Sequence, residues 1–156
     1  MPAISTAAAP LSPSALAACA ARLGRFPLSV LQLLFRLAIA GVFLRAGLNK
    51  LASWELTIQL FRDEYKVPVL PAEVAAVMAT TVEIGCSALL IAGLATRVAT
   101  LPLLGMLAVI QLFVYPSAWS EHLVWGSILL FLLTRGGGSV SLDHAIGLEP
   151  PTGGKR

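Results

Sequence analysis

The chain has 156 residues, of which 57% are hydrophobic and only 12% charged; 11 basic and 8 acidic side chains leave a net charge of +3. An average soluble domain is about half apolar and a quarter charged, and a mean hydropathy of +0.84 pulls this chain further from that average. A water-soluble protein this small needs more charge to cover its surface, which excludes an ordinary soluble domain, a disordered chain and a nucleic-acid-binding module.

Residues 1–26 are rich in Ala, Ser and Pro and carry no basic residue before Arg22, so the charged start of a signal peptide is missing. Leu16-Ala17-Ala18-Cys19 imitates a lipoprotein cleavage box, but Pro2, Pro10 and Pro13 break the apolar run that such a box follows. The segment reads as a mobile tail ending in a short Ala-rich helix. Four apolar segments come next, at 28–48, 74–94, 98–115 and about 117–134. Each approaches the ~20 residues needed to cross about 30 Å of hydrocarbon, the last two being somewhat short. Pro102 falls in the first turns of the third, where a missing N–H costs least. Helices of a soluble bundle would each need a charged outer face, and these segments have none. The predicted fold is therefore all-α, an integral membrane four-helix bundle over 27–147.

The only sizeable loop, about 52–72, separates the first two spans. In it Trp54, Ile58, Phe61 and Tyr65 recur at i, i+4, i+7 and i+11, one face of a helix. Aromatic residues at its ends and charges elsewhere predict an interfacial helix over 54–65, lying in the headgroup region. Val67-Pro68-Val69-Leu70-Pro71 stops it, because proline disfavours helix in the residue before it. After the fourth span Gly136-Gly137-Gly138 reads as a turn, and 148–156 reads as a disordered tail.

Orientation follows from Lys and Arg near the span ends. Arg22, Arg25, Arg97, Arg135, Lys155 and Arg156 fall on one side. Arg45, Lys50, Arg62 and Lys66 fall on the other, diluted by Glu55, Asp63, Glu64, Glu73 and Glu121. The bias places both termini in the cytoplasm.

In a membrane the informative residues are polar ones at depth. Gln32, Arg36, Ala40, Phe43, Gly47 and Lys50 form one stripe of the first helix, and its small residues, Ala40 and Gly47, let a second helix approach closely. Thr80, Glu83 and Ser87 share a face of the second helix, with Cys86 beside them. Glu83 lies near the midplane, where an uncompensated charge costs at least about 2.5–3.5 kcal/mol. Counting from the span ends puts Arg36 and Glu83 only about 4–5 Å apart in depth, so the two are expected to pair in the interior. Two readings of these groups stay open: they satisfy each other and fix register, or they bind a polar ligand or pass protons. Gln111 and Tyr115 share a face of the third helix.

Glu121 and His122 open the fourth helix on the outer side. A metal wants three or four ligands, and their spacing does not supply them, so no metal site is assigned. Cys19 and Cys86 lie far apart with no C-x-x-C, and no disulfide is expected between a cytoplasmic thiol and one inside a span. No nucleophile–base pair, phosphate-cradling loop or cofactor motif is evident.

With these residues in view, the chain resembles the DoxX family of bacterial membrane proteins over about 36–147. The resemblance is carried by Arg36-Leu37-Ala38 through Phe43-Leu44, by Gly47-Leu48-Asn49-Lys50-Leu51 and by Glu83-Ile84-Gly85 through Gly93-Leu94-Ala95-Thr96-Arg97. His122 and the closing Gly138-Ser139-Val140-Ser141-Leu142-Asp143 add to it. It implies a multi-pass protein of the bacterial inner membrane with four helices. Relatives include a subunit of thiosulfate:quinone oxidoreductase, and others are associated with oxidant handling or encoded near metal-stress genes. Vitamin K epoxide reductase-like proteins also use four helices, but their paired cysteines are missing here.

Three functional readings follow. The first is an accessory subunit of a membrane redox or oxidative/metal-stress system, with a quinone-sized pocket among apolar helices; its partners would be the lipid bilayer and membrane or periplasmic redox proteins. The second is a small transporter or channel for a polar solute that uses Arg36, Glu83 and Lys50 along a path. The third is a scaffold with no ligand. A pocket open toward lipid favours the first, a continuous polar track the second, a dry and fully paired core the third. Enzymatic activity is left open.

Overall fold

The computed structural model describes residues 17–148 except 19 and 23, and the described residues are helical with no strand. The sequence readings on most of both tails and on Cys19 lie outside the described residues. Helix α1 spans Leu28–Ala52, α2 Trp54–Leu60, α3 Ala72–Ala92, α4 Thr96–Val109, α5 Trp119–Arg135 and α6 Leu142–Ala145. Two of them widen at their C-terminal ends into π-helical turns, α2 over Phe61–Tyr65 and α4 over Ile110–Val114.

Local sequence sets the boundaries. Prolines 27 and 71 stand just before α1 and α3 in extended backbone, where a residue without an N–H is tolerated. Gly93 closes α3 in the left-handed region at φ 68, and Leu94 N–H reaches back to Leu89 O at 2.9 Å, which satisfies a carbonyl that the helix leaves over. Lys66, also left-handed, ends the π turn after α2 just before the proline-rich stretch.

Three helices are long and apolar enough to cross a membrane: Leu28–Ala52, Ala72–Ala92 and Thr96–Val114, the last including its π turn. Helix α5 has 17 residues, about 25 Å at 1.5 Å per residue. α1 packs along α3, α3 along α4, α4 along α5, and α5 returns to α1. Between them lies an apolar layer that includes Ile39, Ala40, Leu90, Leu103, Leu129 and Leu132. Phe35 meets Phe131 edge-on at 5.1 Å, and Phe43 meets Trp125 at 6.0 Å.

Outside and inside are inverted relative to a soluble protein. Leu34, Leu37, Val77, Val98, Leu101 and Leu130 point outward, whereas Gln32, Arg36, Glu83 and Thr100 are buried. That is the arrangement expected when the solvent is hydrocarbon and polar groups must find partners within the protein.

The register of α1 against α3 depends on one small residue. A Cβ placed on Gly47 would lie 2.7 Å from Ile84 Cγ1 and 3.1 Å from Glu83 Cβ, so only glycine lets the two backbones come this close. This contact sets Gly47 level with Glu83.

The aromatic stripe in the loop is helical, as its spacing predicts, and it turns toward protein. Trp54, Ile58, Phe61 and Tyr65 pack on Ala72, Ala75, Ala76 and Ala79 at the start of α3. An alanine face presents flat apolar surface at close range, so the stripe buries against protein, and Glu55, Gln59, Arg62 and Asp63 stay exposed.

Gly47→Leu should overfill the α1–α3 contact and lower stability by about 1–3 kcal/mol, read as a drop in unfolding midpoint in detergent. Gly41→Leu, at a site where a Cβ meets nothing within 4 Å, should leave the midpoint nearly unchanged.

Candidate functional site

The buried polar residues divide between the two ends of the molecule. At the end holding the α3–α4 turn, each completes a helix terminus. The Arg36 guanidinium donates from Nε to Leu90 O at 2.8 Å and from Nη2 to Ile91 O at 3.0 Å, the last carbonyls of α3. Its Nη1 donates to Gly137 O at 2.9 Å and Val140 O at 2.7 Å in the closing turn. A cation at a helix C-terminus meets the negative end of the helix dipole and the unpaired carbonyls there. A Cβ on Gly93 would sit 2.6 Å from the guanidinium carbon, so this glycine is required for φ and for space together.

Gln32 Nε2 donates to Arg135 O at 3.0 Å and Gly136 O at 3.1 Å, at the end of α5. The Asp143 carboxylate accepts the Ala95 N–H at 2.6 Å and the Thr96 N–H at 2.8 Å, capping the start of α4. The closing turn is thereby fastened across the ends of α1, α3, α4 and α5. This clamp has a structural role.

The expected pairing of Arg36 with Glu83 is not what forms. Glu83 pairs with Lys50, whose Nζ lies 2.7 and 2.8 Å from the two carboxylate oxygens. Counting depth from the ends of the apolar segments assumed that both spans start in one plane. They do not: Arg36 reaches the end of α3, while Gly47, eleven residues further along α1, lies level with Glu83, so about 16 Å of helix separates the two groups. The Glu83 side chain is 3% exposed and that of Lys50 20%.

This pair sits on the wall of a cavity of about 610 Å³ at the opposite end from the clamp. Its lining is chiefly apolar, from Val42, Phe43, Val82, Met106, Val109 and Trp125, with Lys50, Tyr65, Glu83, Tyr115, Glu121 and His122 as its polar groups. Both π turns contribute to it, through Phe61, Tyr65, Ile110 and Val114. A π turn sets side chains off the regular helical stagger and recurs at functional sites; here residues of two such turns line one cavity. Tyr65 and Tyr115 meet edge-on at 5.7 Å, and Tyr115 Oη donates to Glu64 Oε1 at 2.7 Å, tying the loop to the end of α4.

His122, 7% exposed, stands over Trp125 with ring centroids 5.6 Å apart. Its Nδ1 lies 2.6 Å from Gln111 Oε1, and Gln111 Nε2 donates to Pro116 O at 2.9 Å. The proline carbonyl can only accept, which orients the amide and leaves its oxygen toward the imidazole.

Of the residues singled out in the sequence, Lys50, Glu83, Glu121 and His122 share the cavity, and Gln111 supports His122 from behind. Gln32 and Arg36 belong to the clamp. Thr80 returns its hydroxyl to Ala76 O at 2.8 Å and joins neither group. Among the described residues no cluster of three His, Cys, Asp or Glu stands close enough to hold a metal, and Cys86 is a free, buried thiol. Sequence reasoning missed Asp143 as a helix cap and the Lys50–Glu83 pair. The second was within reach by counting both helices away from Gly93, taken as a fixed turn opposite Arg36.

Removing either partner of the Lys50–Glu83 pair should cost about 3–5 kcal/mol by leaving a charge buried alone, and Lys50→Met with Glu83→Leu should recover much of that loss. Arg36→Leu and Glu83→Leu should instead add within about 0.5 kcal/mol. Chemical unfolding in detergent reads both cycles; coupling of Arg36 to Glu83 would contradict the geometry.

The profile of the DoxX family matches residues 31–116, which hold Arg36, Lys50, Glu83 and Gln111 and end before His122 and the closing turn. Comparison with curated proteins and with solved structures gives no match. Because the matched stretch covers more than half of the sequence, including most of α1 and all of α3 and α4, the chain belongs to the DoxX family.

Proposed function

We propose that this DoxX protein is a four-span protein of the bacterial inner membrane with both termini cytoplasmic. In this reading it holds a quinone-sized amphiphile as an accessory subunit of a membrane redox or oxidative/metal-stress system. The observation that carries the reading is the cavity of about 610 Å³, inside the 300–1,000 Å³ range of small-molecule sites. It has an apolar body and a few polar groups gathered from different helices. Among its lining residues Met78, Pro102 and Gly105 lie on exposed faces of α3 and α4 within the spans, so the mouth opens toward lipid and an apolar tail can remain in the bilayer.

The apolar layer around Ile39, Leu90, Leu103 and Leu129 separates the cavity from the clamp. A continuous polar path through the molecule is what transport would need, and this layer counts against it. The cavity itself counts against a dry scaffold. Arg25, Arg97 and Arg135 gather at the clamp end, which supports a cytoplasmic placement of that end. Helix α5 is short for a full span, and its outward Leu123, Val124 and Leu130 support a crossing in which the bilayer thins locally.

Gly105 lines the cavity, and a Cβ there meets nothing within 4 Å. Gly105→Phe should therefore fold normally and fill the space. Wild-type protein in mild detergent should bind a decyl-substituted benzoquinone or its hydroquinone, and the variant should bind at least tenfold more weakly. Equal binding by both proteins, or binding by neither, would contradict the pocket. Reporter fusions at Ser117 and Gly153 should report opposite compartments; the same compartment would overturn the topology.

A further inference from the structure

Several polar groups around the cavity commit hydrogens away from it. Tyr115 Oη gives its proton to Glu64 Oε1 at 2.7 Å. Lys50 Nζ directs two protons at the Glu83 oxygens, at 2.7 and 2.8 Å. The Gln111 amide is oriented by Pro116 O, so its oxygen faces His122 Nδ1 at 2.6 Å. An oxygen there can only accept, so Nδ1 carries the hydrogen, and the neutral imidazole keeps a bare lone pair on Nε2. Among the described residues Nε2 has no hydrogen-bond partner. What remains toward the cavity is a surplus of acceptors: His122 Nε2, Tyr115 Oη and the carboxylates of Glu83 and Glu121. The third ammonium hydrogen of Lys50, the Tyr65 hydroxyl and the indole N–H of Trp125 are the donors opposed to them.

We infer that the cavity selects an amphiphile whose head group donates hydrogen bonds, so that it holds the hydroquinone form of a quinone-sized ligand in preference to the oxidised form, with Gln111 as the residue that positions His122 as an acceptor. The inference rests on the reading of the cavity as a quinone-sized site. An oxidised quinone brings carbonyl lone pairs and no donor, so it can meet the few donors but leaves His122 Nε2 and the carboxylates facing it without a hydrogen. A hydroquinone brings two hydroxyl hydrogens to the same place. Leaving a buried acceptor unpaired is costly, and sites built around one hydrogen-bonding sense reject the ligand that lacks it. Gln111 therefore acts through His122: without its carbonyl, the imidazole hydrogen is free to move to Nε2, and the site can offer a donor as easily as an acceptor.

The test is anaerobic calorimetric titration of the full-length protein in detergent. Three ligands are compared: a decyl-substituted benzoquinone, its hydroquinone, and the dimethyl ether of that hydroquinone. The hydroquinone should bind at least tenfold tighter than the other two. Gln111→Leu should bring the hydroquinone and quinone within about threefold of each other while leaving the dimethyl ether unchanged. Equal binding of hydroquinone and quinone by wild-type protein would overturn the inference and leave the quinone-sized site standing. A preference that survives Gln111→Leu would overturn the role of Gln111. Failure of all three ligands to bind would overturn the reading of the cavity and the inference with it. The wild-type comparison requires no variant, so a misfolded Gln111→Leu does not remove the test.

Discussion

A carboxylate inside an apolar helix must be neutralised where it lies, and Glu83 meets that requirement through the ammonium of Lys50 at 2.7 Å. Much of the arrangement follows. The lysine comes from the last turns of α1 and the glutamate from the middle of α3, so the pair can form only if α1 runs beside α3 in one register. Gly47 permits that register by removing the side chain that would otherwise stand between the backbones. A pair of this kind adds little net stability over an apolar one, but it strongly penalises arrangements that separate the charges. We read its contribution as specificity of packing, together with a polar end for the neighbouring cavity.

The rest of the buried polarity serves a different purpose at the opposite end. There Arg36, Gln32 and Asp143 satisfy the termini of three helices from the side. Helix ends buried in a membrane protein lack water to complete them, and side chains from distant parts of the sequence do so here. The apolar layer between clamp and cavity keeps the two polar regions apart. One end thus holds the fold through side chains that complete helix termini, while the other retains a space lined by a few polar groups.

Much of this was legible in the sequence because hydrocarbon imposes a coarse code. The positions of the long helices, the turn at Gly136 and the helical face of Trp54, Ile58, Phe61 and Tyr65 all follow from apolar length and spacing. The direction of that face did not, because the alanine surface of α3 that receives it becomes a partner only after the chain folds back. The partner of Glu83 was misread for a related reason. Depth along a helix is well defined, but the offset between two helices depends on where each begins, and α1 extends about two turns past the end of α3. Asp143 was visible only through a family likeness, since a cap acting across 47 residues leaves no local pattern. The tautomer of His122 depends on a proline carbonyl and an amide that a π turn brings together, and neither can be read from spacing.

The register of α1 against α3 underlies the ion pair, the cavity wall and the separation of the two polar ends, so it is the quantity to measure. In a background carrying Cys19→Ser and Cys86→Ala, Gly47→Cys with Glu83→Cys should form a disulfide on mild oxidation in membranes. The Cβ positions are 3.1 Å apart, close to the roughly 3.5–4.5 Å that a bridge adopts. Arg36→Cys with Glu83→Cys should form none. A bridge in the second pair and none in the first would place Arg36 beside Glu83 and contradict the account.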